Sequence, residues 1–215
     1  MKICAKELKF TIDRTRILDG VSFSIPDGSF SCIVGPNGAG KSSILRMISK
    51  EVSGYSGSIT DIKQDQMTYL PQDLVAPSFL STIEVVKLGF YGKSMTNHEQ
   101  EIESRKLLDS CGVLHIELRA FTDISAGEKQ RTWLAFALAQ SKELILMDEP
   151  LAAIDFSARR SFFTLLRTIV NGGKTLVLVT HDMDLAIEIC DHLIVLESGK
   201  KVFEGIPTDF QITTE

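Results

Sequence analysis

A glycine-rich loop between a strand-like and a helix-like segment constrains this chain more than any other feature. Residues 35–42 read GPNGAGKS and fit the phosphate-binding pattern G-x-x-x-x-G-K-[ST]. Residues 30–34 before the loop form a short strand-like run, and residues 43–48 after it carry apolar side chains at helical spacing. Strand, loop and helix together aim backbone amides and a helix N-terminus at one point, which suits a polyphosphate. The pattern therefore predicts that the chain binds a nucleoside triphosphate.

Two residues of the loop carry most of the predicted chemistry. Lys41 is long enough to reach the β- and γ-phosphates, and the Ser42 hydroxyl is suited to coordinate Mg²⁺. The other residues predicted to surround the phosphates are Gly35, Pro36, Asn37, Gly38, Ala39, Gly40 and Ser43.

Composition places the chain among ordinary globular proteins and disfavours several function classes. Of 215 residues, 44% are hydrophobic and 24% are charged, which suits one α/β domain with a sizeable core. The net charge of −5 argues against nucleic acid as a partner, because neutralising phosphates requires clustered Lys and Arg. Cys4, Cys32, Cys111 and Cys190 form no C-x-x-C pair, so we expect buried free thiols in a reducing compartment rather than zinc ligands.

Neither a targeting sequence nor a membrane span is recognisable. Glu7 and Lys9 interrupt the apolar character of the N-terminal residues, and no stretch approaches the ~18 apolar residues that cross a bilayer. We therefore expect a cytoplasmic chain that reaches a membrane only through a partner.

The first quarter of the chain is rich in strand signals. Residues 3–12, 21–25 and 30–34 are strand-like, and turns are predicted at 18–20 and 26–28. This order indicates an antiparallel β part ahead of the phosphate loop.

Residues 75–120 show no strand signal and predict an inserted helical subdomain. A capping box formed by Ser81 and Glu84 opens one helix, and a second helix is expected at 97–111. The apolar face expected for this second helix consists of Ile102, Leu107 and Leu108.

After the insertion, helices and strands alternate to the end of the chain. Such alternation predicts a mainly parallel sheet covered by helices on both faces. The predicted fold class is α/β, with a nucleotide-binding core, an N-terminal antiparallel β part and an inserted helical subdomain. We assign one domain over 1–215, with its core at 1–74 and 121–215 and its helical subdomain at 75–120.

Two carboxylates follow the apolar run at residues 144–147. Asp148 and Glu149 would end a buried strand at its carboxyl edge, where ligands bind in open α/β sheets. Asp148 is suited to hold Mg²⁺, and Glu149 could polarise a water molecule for attack on the γ-phosphate. Without the phosphate loop, an acidic strand end at the surface would explain the pair equally well.

Gln72 and His181 follow two further predicted strands. A glutamine can bridge Mg²⁺ and water, and a histidine can hydrogen-bond a γ-phosphate oxygen. Each alone is explained as an ordinary polar residue at a strand end. Both are expected at the same sheet edge as Lys41 and Glu149, which favours a shared catalytic site.

Ser125 and Glu128 form another capping box at the start of a predicted helix. An ordinary helix cap explains it fully, while a second helix N-terminus offered to phosphate is the functional alternative. The residues alone leave both interpretations open.

With these motifs in order, the chain resembles the ATP-binding subunits of ABC transporters over nearly its whole length. The matching segments are 35–42 (Walker A), 69–72 (Q-loop), 124–131 (signature), 144–150 (Walker B), 151–155 (D-loop) and 180–182 (H-loop). The resemblance implies a P-loop NTPase core, the cofactors ATP and Mg²⁺, and Glu149 as the catalytic base.

The resemblance also implies partners. Two copies would form a head-to-tail dimer in which each ATP lies between the Walker A loop of one copy and Ser125 and Gly127 of the other. The neighbouring Ala126 and the D-loop Asp155 would belong to the same ATP site. The helical insertion and the Gln72 region would dock on membrane-spanning permease subunits, with a solute-binding protein contributing indirectly.

Several positions depart from the family pattern, and two of them belong to the predicted ATP site. Ala126 stands in the signature where the family usually has glycine, which adds a methyl group near the phosphate. Ile12 stands where an aromatic residue normally stacks on adenine, so it offers apolar contact without a ring face.

Two segments resemble one branch of this family and indicate the class of transported substrate. Residues 81–92 and 181–186 resemble importers of metal ions and metal chelates, including the Mn²⁺/Zn²⁺, iron–siderophore, haem and cobalamin types. The alternatives are an exporter or lipoprotein-release subunit, and an ABC ATPase of DNA repair or translation. The last alternative is disfavoured by the acidic balance and by the lack of a long coiled-coil insertion or a second cassette.

Overall fold

The computed structural model describes residues 2–150 and 156–210, except the side chains of 156–158. Its strands are β1 (Ile3–Ile12), β2 (Thr15–Ile25), β3 (Phe30–Val34), β4 (Ser56–Ile59), β5 (Met67–Leu70), β6 (Leu144–Asp148), β7 (Thr175–Thr180), β8 (His192–Glu197) and β9 (Lys200–Gly205). Its α-helices are α1 (Lys41–Ile48), α2 (Thr82–Lys87), α3 (Asn97–Ser110), α4 (Ala126–Ala139), α5 (Phe156–Asn171) and α6 (Met183–Ile189).

These elements pack into two compact units. The first unit contains described residues up to 69, then 143–149, and those from 166 onward. The second unit contains 70–142 and the described residues from 150 to 165. The segment predicted as a helical subdomain, 75–120, lies inside the second unit, and the predicted domain boundaries remain a prediction.

A six-stranded sheet forms the centre of the first unit, in the order β5-β6-β7-β3-β8-β9. β3 runs parallel to both β7 and β8, β6 runs parallel to β7, and β9 closes the sheet antiparallel to β8. Every residue of β3, β6 and β7 is buried, as expected for strands covered on both faces. The predicted α/β class with a mainly parallel sheet is confirmed.

The N-terminal β part is an antiparallel sheet in the order β2-β1-β4. The turn predicted at 18–20 is wrong, because β2 runs without a break through these residues and the chain reverses at Asp13 and Arg14 instead. Gly20 lies beside Glu7, where the register between β1 and β2 shifts. A glycine within a strand can mark such a bulge as well as a turn, and here it marks the bulge.

The hydrophobic core of the first unit anchors the helix that follows the phosphate loop. Ile44, Leu45, Met47 and Ile48 of α1 are at most 2% exposed and belong to one buried cluster with side chains of both sheets. Because one side of α1 is buried in the core, the first residue of the helix, Lys41, is held in place at the end of the phosphate loop that follows β3.

Capping boxes open α2, α3 and α4, which lie in the second unit. Trp133 of α4 packs edge-to-face against Phe121 and Phe136. In α3, Leu108 is fully buried as predicted, but Ile102 is 40% exposed. The predicted apolar face is therefore covered only in part, because α3 packs through the turn that carries Leu108 and the buried Ser104.

Gly57→Ala should destabilise the first unit more than Gly54→Ala does. Both glycines have left-handed backbone, with φ of 96° and 81°. A methyl group at Gly57 would lie 2.5 Å from the carbonyl oxygens of Lys6 and Glu7, whereas one at Gly54 meets nothing within 4 Å. Gly54→Ala therefore serves as the control for backbone strain alone.

We expect Gly54→Ala to cost about 1 kcal/mol and Gly57→Ala at least ~1 kcal/mol more. Urea unfolding of both variants measures the difference. Equal losses would show that the close approach of β4 to β1 has no energetic consequence.

Candidate functional site

The phosphate loop closes against the end of β8. Gly35 has φ of 148°, and a Cβ atom there would lie 2.1 Å from the carbonyl oxygen of Leu196. α1 then begins at Lys41, so the amides of its first turn have no intrahelical acceptor. The predicted sequence of strand, glycine loop and helix is present.

Lys41 is buried, with 4% exposure, and its ammonium group is surrounded by oxygens. Nζ donates to the carbonyl oxygens of Gly35 at 2.8 Å and Pro36 at 3.0 Å. It also lies 3.5 Å from Oε1 of Glu149. A buried cation needs such partners, and the loop therefore holds one positive charge at the sheet edge.

Asp148 ends β6 with 2% exposure and uses each carboxylate oxygen for a different partner. The Ser42 hydroxyl donates to Oδ1 at 2.9 Å, and the Tyr69 hydroxyl donates to Oδ2 at 3.4 Å. Burial raises the pKa of this carboxyl, and the nearby charge of Glu149 raises it further, while the hydrogen bond from Ser42 opposes both effects. The site thus holds an unfavourable buried negative charge that is hydrogen-bonded by two hydroxyl groups.

Glu149 turns out of the strand immediately after Asp148. Its φ is 44°, in the left-handed region that costs a non-glycine residue on the order of 1 kcal/mol, and its amide donates to the carbonyl of Val179 at 3.0 Å. The side chain lies between two partners, with Oε2 3.4 Å from Nδ1 of His181 and Oε1 near Lys41. His181 follows β7, and its side chain is 51% exposed.

The first unit therefore brings together five of the predicted site residues, which are Lys41, Ser42, Asp148, Glu149 and His181. Parallel pairing explains this, because Val34 is in register with Thr180, and Asp148 with Val179.

Tyr69 is a site residue that sequence reasoning treated only as part of a motif. Burial, followed by the charge of Asp148, raises the pKa of its phenol to about 12, so the hydroxyl keeps its proton at neutral pH. Arg46 of α1 opposes this rise in the pKa. The sequence places Tyr69 in a predicted strand, three residues before Gln72. No sequence pattern shows, however, which strand lies beside β5.

The oxygens of Ser42 and Asp148 fit a magnesium ion. Mg²⁺ is usually bound through one or two carboxylates together with substrate phosphates. No group of three or more His, Cys, Asp or Glu residues is placed to hold a metal within the described ranges, 2–150 and 156–210. The donor set is thus too small for an all-protein metal cage but sufficient for a cation shared with phosphate.

The second unit carries four further predicted site residues, Gln72, Ser125, Ala126 and Gly127. Gln72 is exposed and lines a small cavity with Pro71, Lys129 and Trp133. Ala126 is exposed at the start of α4 and lines the same cavity.

Ser125 caps α4, as its capping box predicts. Its hydroxyl accepts from the amide of Glu128 at 3.3 Å, and its amide donates to the Glu128 carboxylate at 2.7 Å. Hydrogen bonds from Ser125 lower the pKa of Glu128. A methyl group at Gly127 would meet nothing within 4 Å, so the packing of this chain does not require glycine there. The phosphate-binding role of this helix start remains a prediction.

Two predicted site residues remain, Ile12 and Asp155. Ile12 ends β1 in the first unit and is 46% exposed. Asp155 lies outside the described residues.

A protein-family model described as ABC transporter matches residues 18–152, which is more than half of the chain. The chain belongs to the ABC transporter family. The predicted recognition and the predicted ATPase class are confirmed by this match, and so is nucleotide binding by the chain.

Curated relatives match over most of their length. The chain is 33% identical over 220 residues to the hemin import ATP-binding protein HmuV of Photobacterium damselae subsp. damselae, covering 94% of this chain and 83% of that protein. It is 32% identical over 213 residues to the high-affinity zinc uptake system ATP-binding protein ZnuC of Bacillus subtilis (strain 168), covering 93% and 92%.

Solved structures show the same fold. CbiO1 from Clostridium perfringens, part of the ABC transporter complex CbiONQ, superposes with a TM-score of 0.86 at 23% identity, covering 96% of this chain and 89% of that chain. A nucleotide-free ATP-binding cassette superposes with a TM-score of 0.84 at 21% identity, covering 96% and 92%. Among the helices that the structure describes, none is long and apolar enough to span a membrane.

Asp148→Asn should raise the free energy of unfolding of the nucleotide-free protein at pH 7. Burial raises the folded-state pKa of Asp148, so ionising it at neutral pH costs folding free energy that a neutral amide avoids. The gain should shrink as pH falls through the raised pKa and vanish below ~3.9, where the carboxyl is protonated in both states.

Urea unfolding between pH 7 and pH 4 measures this difference. Asp65→Asn, which changes an exposed carboxylate of the same unit, is the control and should leave stability nearly unchanged. An Asp148→Asn protein less stable than the wild type at pH 7 would contradict the assignment.

Proposed function

We propose that this chain is the ATP-hydrolysing subunit of an ABC importer for a metal ion or metal chelate. The observation that carries the catalytic part is the position of Glu149 between Lys41 and His181, beside the Ser42–Asp148 pair. The curated relatives support the substrate class, because their names describe import of hemin, zinc, iron(3+)-hydroxamate and ferric enterobactin.

Binding of ATP would begin at the phosphates. Lys41 would exchange its contacts with the loop carbonyls for phosphate oxygens, and the free amides of α1 would donate to the same group. Ser42 and Asp148 would hold Mg²⁺, with Gln72 assisting, and the cation would neutralise negative charge on the phosphates.

Hydrolysis would depend on the carboxylate of Glu149, which lies between Lys41 and His181. Glu149 accepts a proton from a water molecule while the water oxygen bonds to the γ-phosphorus and the bond to the bridging oxygen breaks. His181, 3.4 Å from Glu149, would donate a hydrogen bond to a γ-phosphate oxygen and orient it for this attack.

A second copy of the chain would complete the site. Ser125 and Gly127 would approach the ATP held by the partner copy, with Ala126 beside them and Asp155 at the shared boundary. The free space around Gly127 supports this arrangement, since glycine at the start of a helix costs stability and the chain's own packing does not require it.

Permease subunits are the proposed link to the membrane. Exposed apolar side chains of the second unit support such a contact, since large apolar groups in water favour binding of a partner. The most exposed of these are Val75, Phe79, Tyr91 and Leu118, at 76–95%. A solute-binding protein would act on the outer side of the same permease.

Glu149→Gln should bind ATP but hydrolyse it at least ~tenfold more slowly, because an amide cannot accept the proton from water. ATP should then hold the variant in its closed dimer, which light scattering after size-exclusion chromatography detects. Turnover equal to that of the wild type would contradict the role of Glu149.

Two further variants make this result specific. Glu143→Gln changes the exposed carboxylate just before β6 and should leave turnover unchanged. Lys41→Ala should lose most ATP affinity, since it removes the only lysine of the loop. An ATP titration of Lys41→Ala that matches the wild type would refute the phosphate site.

ATP and GTP should bind this chain with similar affinity, because Ile12 offers no ring to stack on adenine. Ile12→Tyr should raise the affinity for ATP more than that for GTP. Competition binding with both nucleotides measures the ratio. A strong ATP preference in the wild type would show that other residues read the base.

If the chain energises import of a metal, the metal content of cells should depend on its ATPase activity. Cells that carry Glu149→Gln in place of the wild type should accumulate less of one metal when that metal is scarce, as elemental analysis measures. Unchanged metal content, together with retention of another compound, would favour the exporter alternative.

A further inference from the structure

The two carboxylate oxygens of Asp148 are held by different elements of the first unit. Ser42, at the start of α1, donates to Oδ1, and Tyr69, in β5, donates to Oδ2 at 3.4 Å. The carboxylate torsion of an aspartate is soft and its energy minima are broad. Donors on both oxygens therefore restrict the orientations that Asp148 can adopt.

Tyr69 is itself well positioned for this task. Its ring is half-buried and packs against the hydrophobic core of the first unit, and β5 is the neighbour of β6 in the sheet. The phenol has a single proton, and its hydroxyl donates it to Oδ2 of Asp148.

We propose that Tyr69 is a positioning residue for the divalent cation of the ATP site, acting through Asp148 without touching cation or nucleotide. The inference rests on the proposed function, in which Ser42 and Asp148 hold Mg²⁺. Mg²⁺ demands near-ideal octahedral geometry, so freedom in a ligating carboxylate weakens binding of the cation.

The effect of removing the phenol is expected to be moderate. Hydrogen-bond partners of metal ligands are typically worth 10–100-fold in metal affinity. The 3.4 Å contact is long for a hydroxyl donor, so Tyr69→Phe should reduce the Mg²⁺-dependent gain in ATP affinity by about three- to tenfold.

The experiment compares ATP affinity in excess Mg²⁺ and in EDTA for the full-length wild type and Tyr69→Phe. The variant keeps the ring that packs on the core, so its fold should be preserved. We expect unchanged affinity in EDTA and a reduced ratio between the two conditions. As a second readout, Mn²⁺ bound with ATP, followed by electron paramagnetic resonance, should show a higher dissociation constant for the variant.

Tyr55→Phe is the matched control, because Tyr55 is also half-buried against this core and loses the same hydroxyl. It should leave both affinities unchanged. An unaltered ratio in Tyr69→Phe overturns the proposal, whether affinity is unchanged in both conditions or falls equally in both. If the wild type gains no affinity from Mg²⁺, the proposed cation site itself fails, which is a distinct result.

Discussion

Parallel pairing of β6 with β7 and of β7 with β3 is the constraint on which the candidate site depends. Val34, Asp148 and Thr180 are the last residues of these three strands, and their registers bring the strand ends to one edge. The predicted catalytic residues therefore follow the ends of these strands and lie close to one another. The phosphate loop leaves β3, Glu149 leaves β6, and His181 leaves β7.

The charged residues at this edge lower the free energy of unfolding of the nucleotide-free chain. Asp148 is buried with a raised pKa next to a second carboxylate, and Glu149 adopts a left-handed backbone. Lys41 compensates part of this by lying between the loop carbonyls and Glu149. Such costs persist where the surrounding structure is rigid enough to impose them, and the buried α1 and the fully buried strands supply that rigidity.

The sequence predicted the features whose physics is local. A glycine loop between a strand and a helix, capping boxes at Ser81 and Ser125, and an acidic end to an apolar strand can all be recognised from neighbouring residues alone. Their convergence was predictable from the alternation of strands and helices, because that alternation implies parallel strand ends.

Features that depend on distant contacts were missed. Gly20 was assigned to a turn, since a bulge and a turn share the same residue preference and only the pairing of β1 with β2 distinguishes them. The contact of Tyr69 with Asp148 depends on strand order, because the two residues are 79 positions apart in sequence. Helical spacing placed Ile102 on the same face as Leu108, but it does not say how far a neighbouring element covers that face.

In the proposed dimer, each chain carries half of each ATP site. Lys41→Ala disables the phosphate loop, and Ser125→Arg obstructs the signature helix, so neither variant alone should hydrolyse ATP. When the two are mixed, each heterodimer contains one intact site, formed by the loop of one chain and the signature helix of the other. ATPase activity that reappears on mixing is the predicted result, and a mixture as inactive as its components would contradict the account.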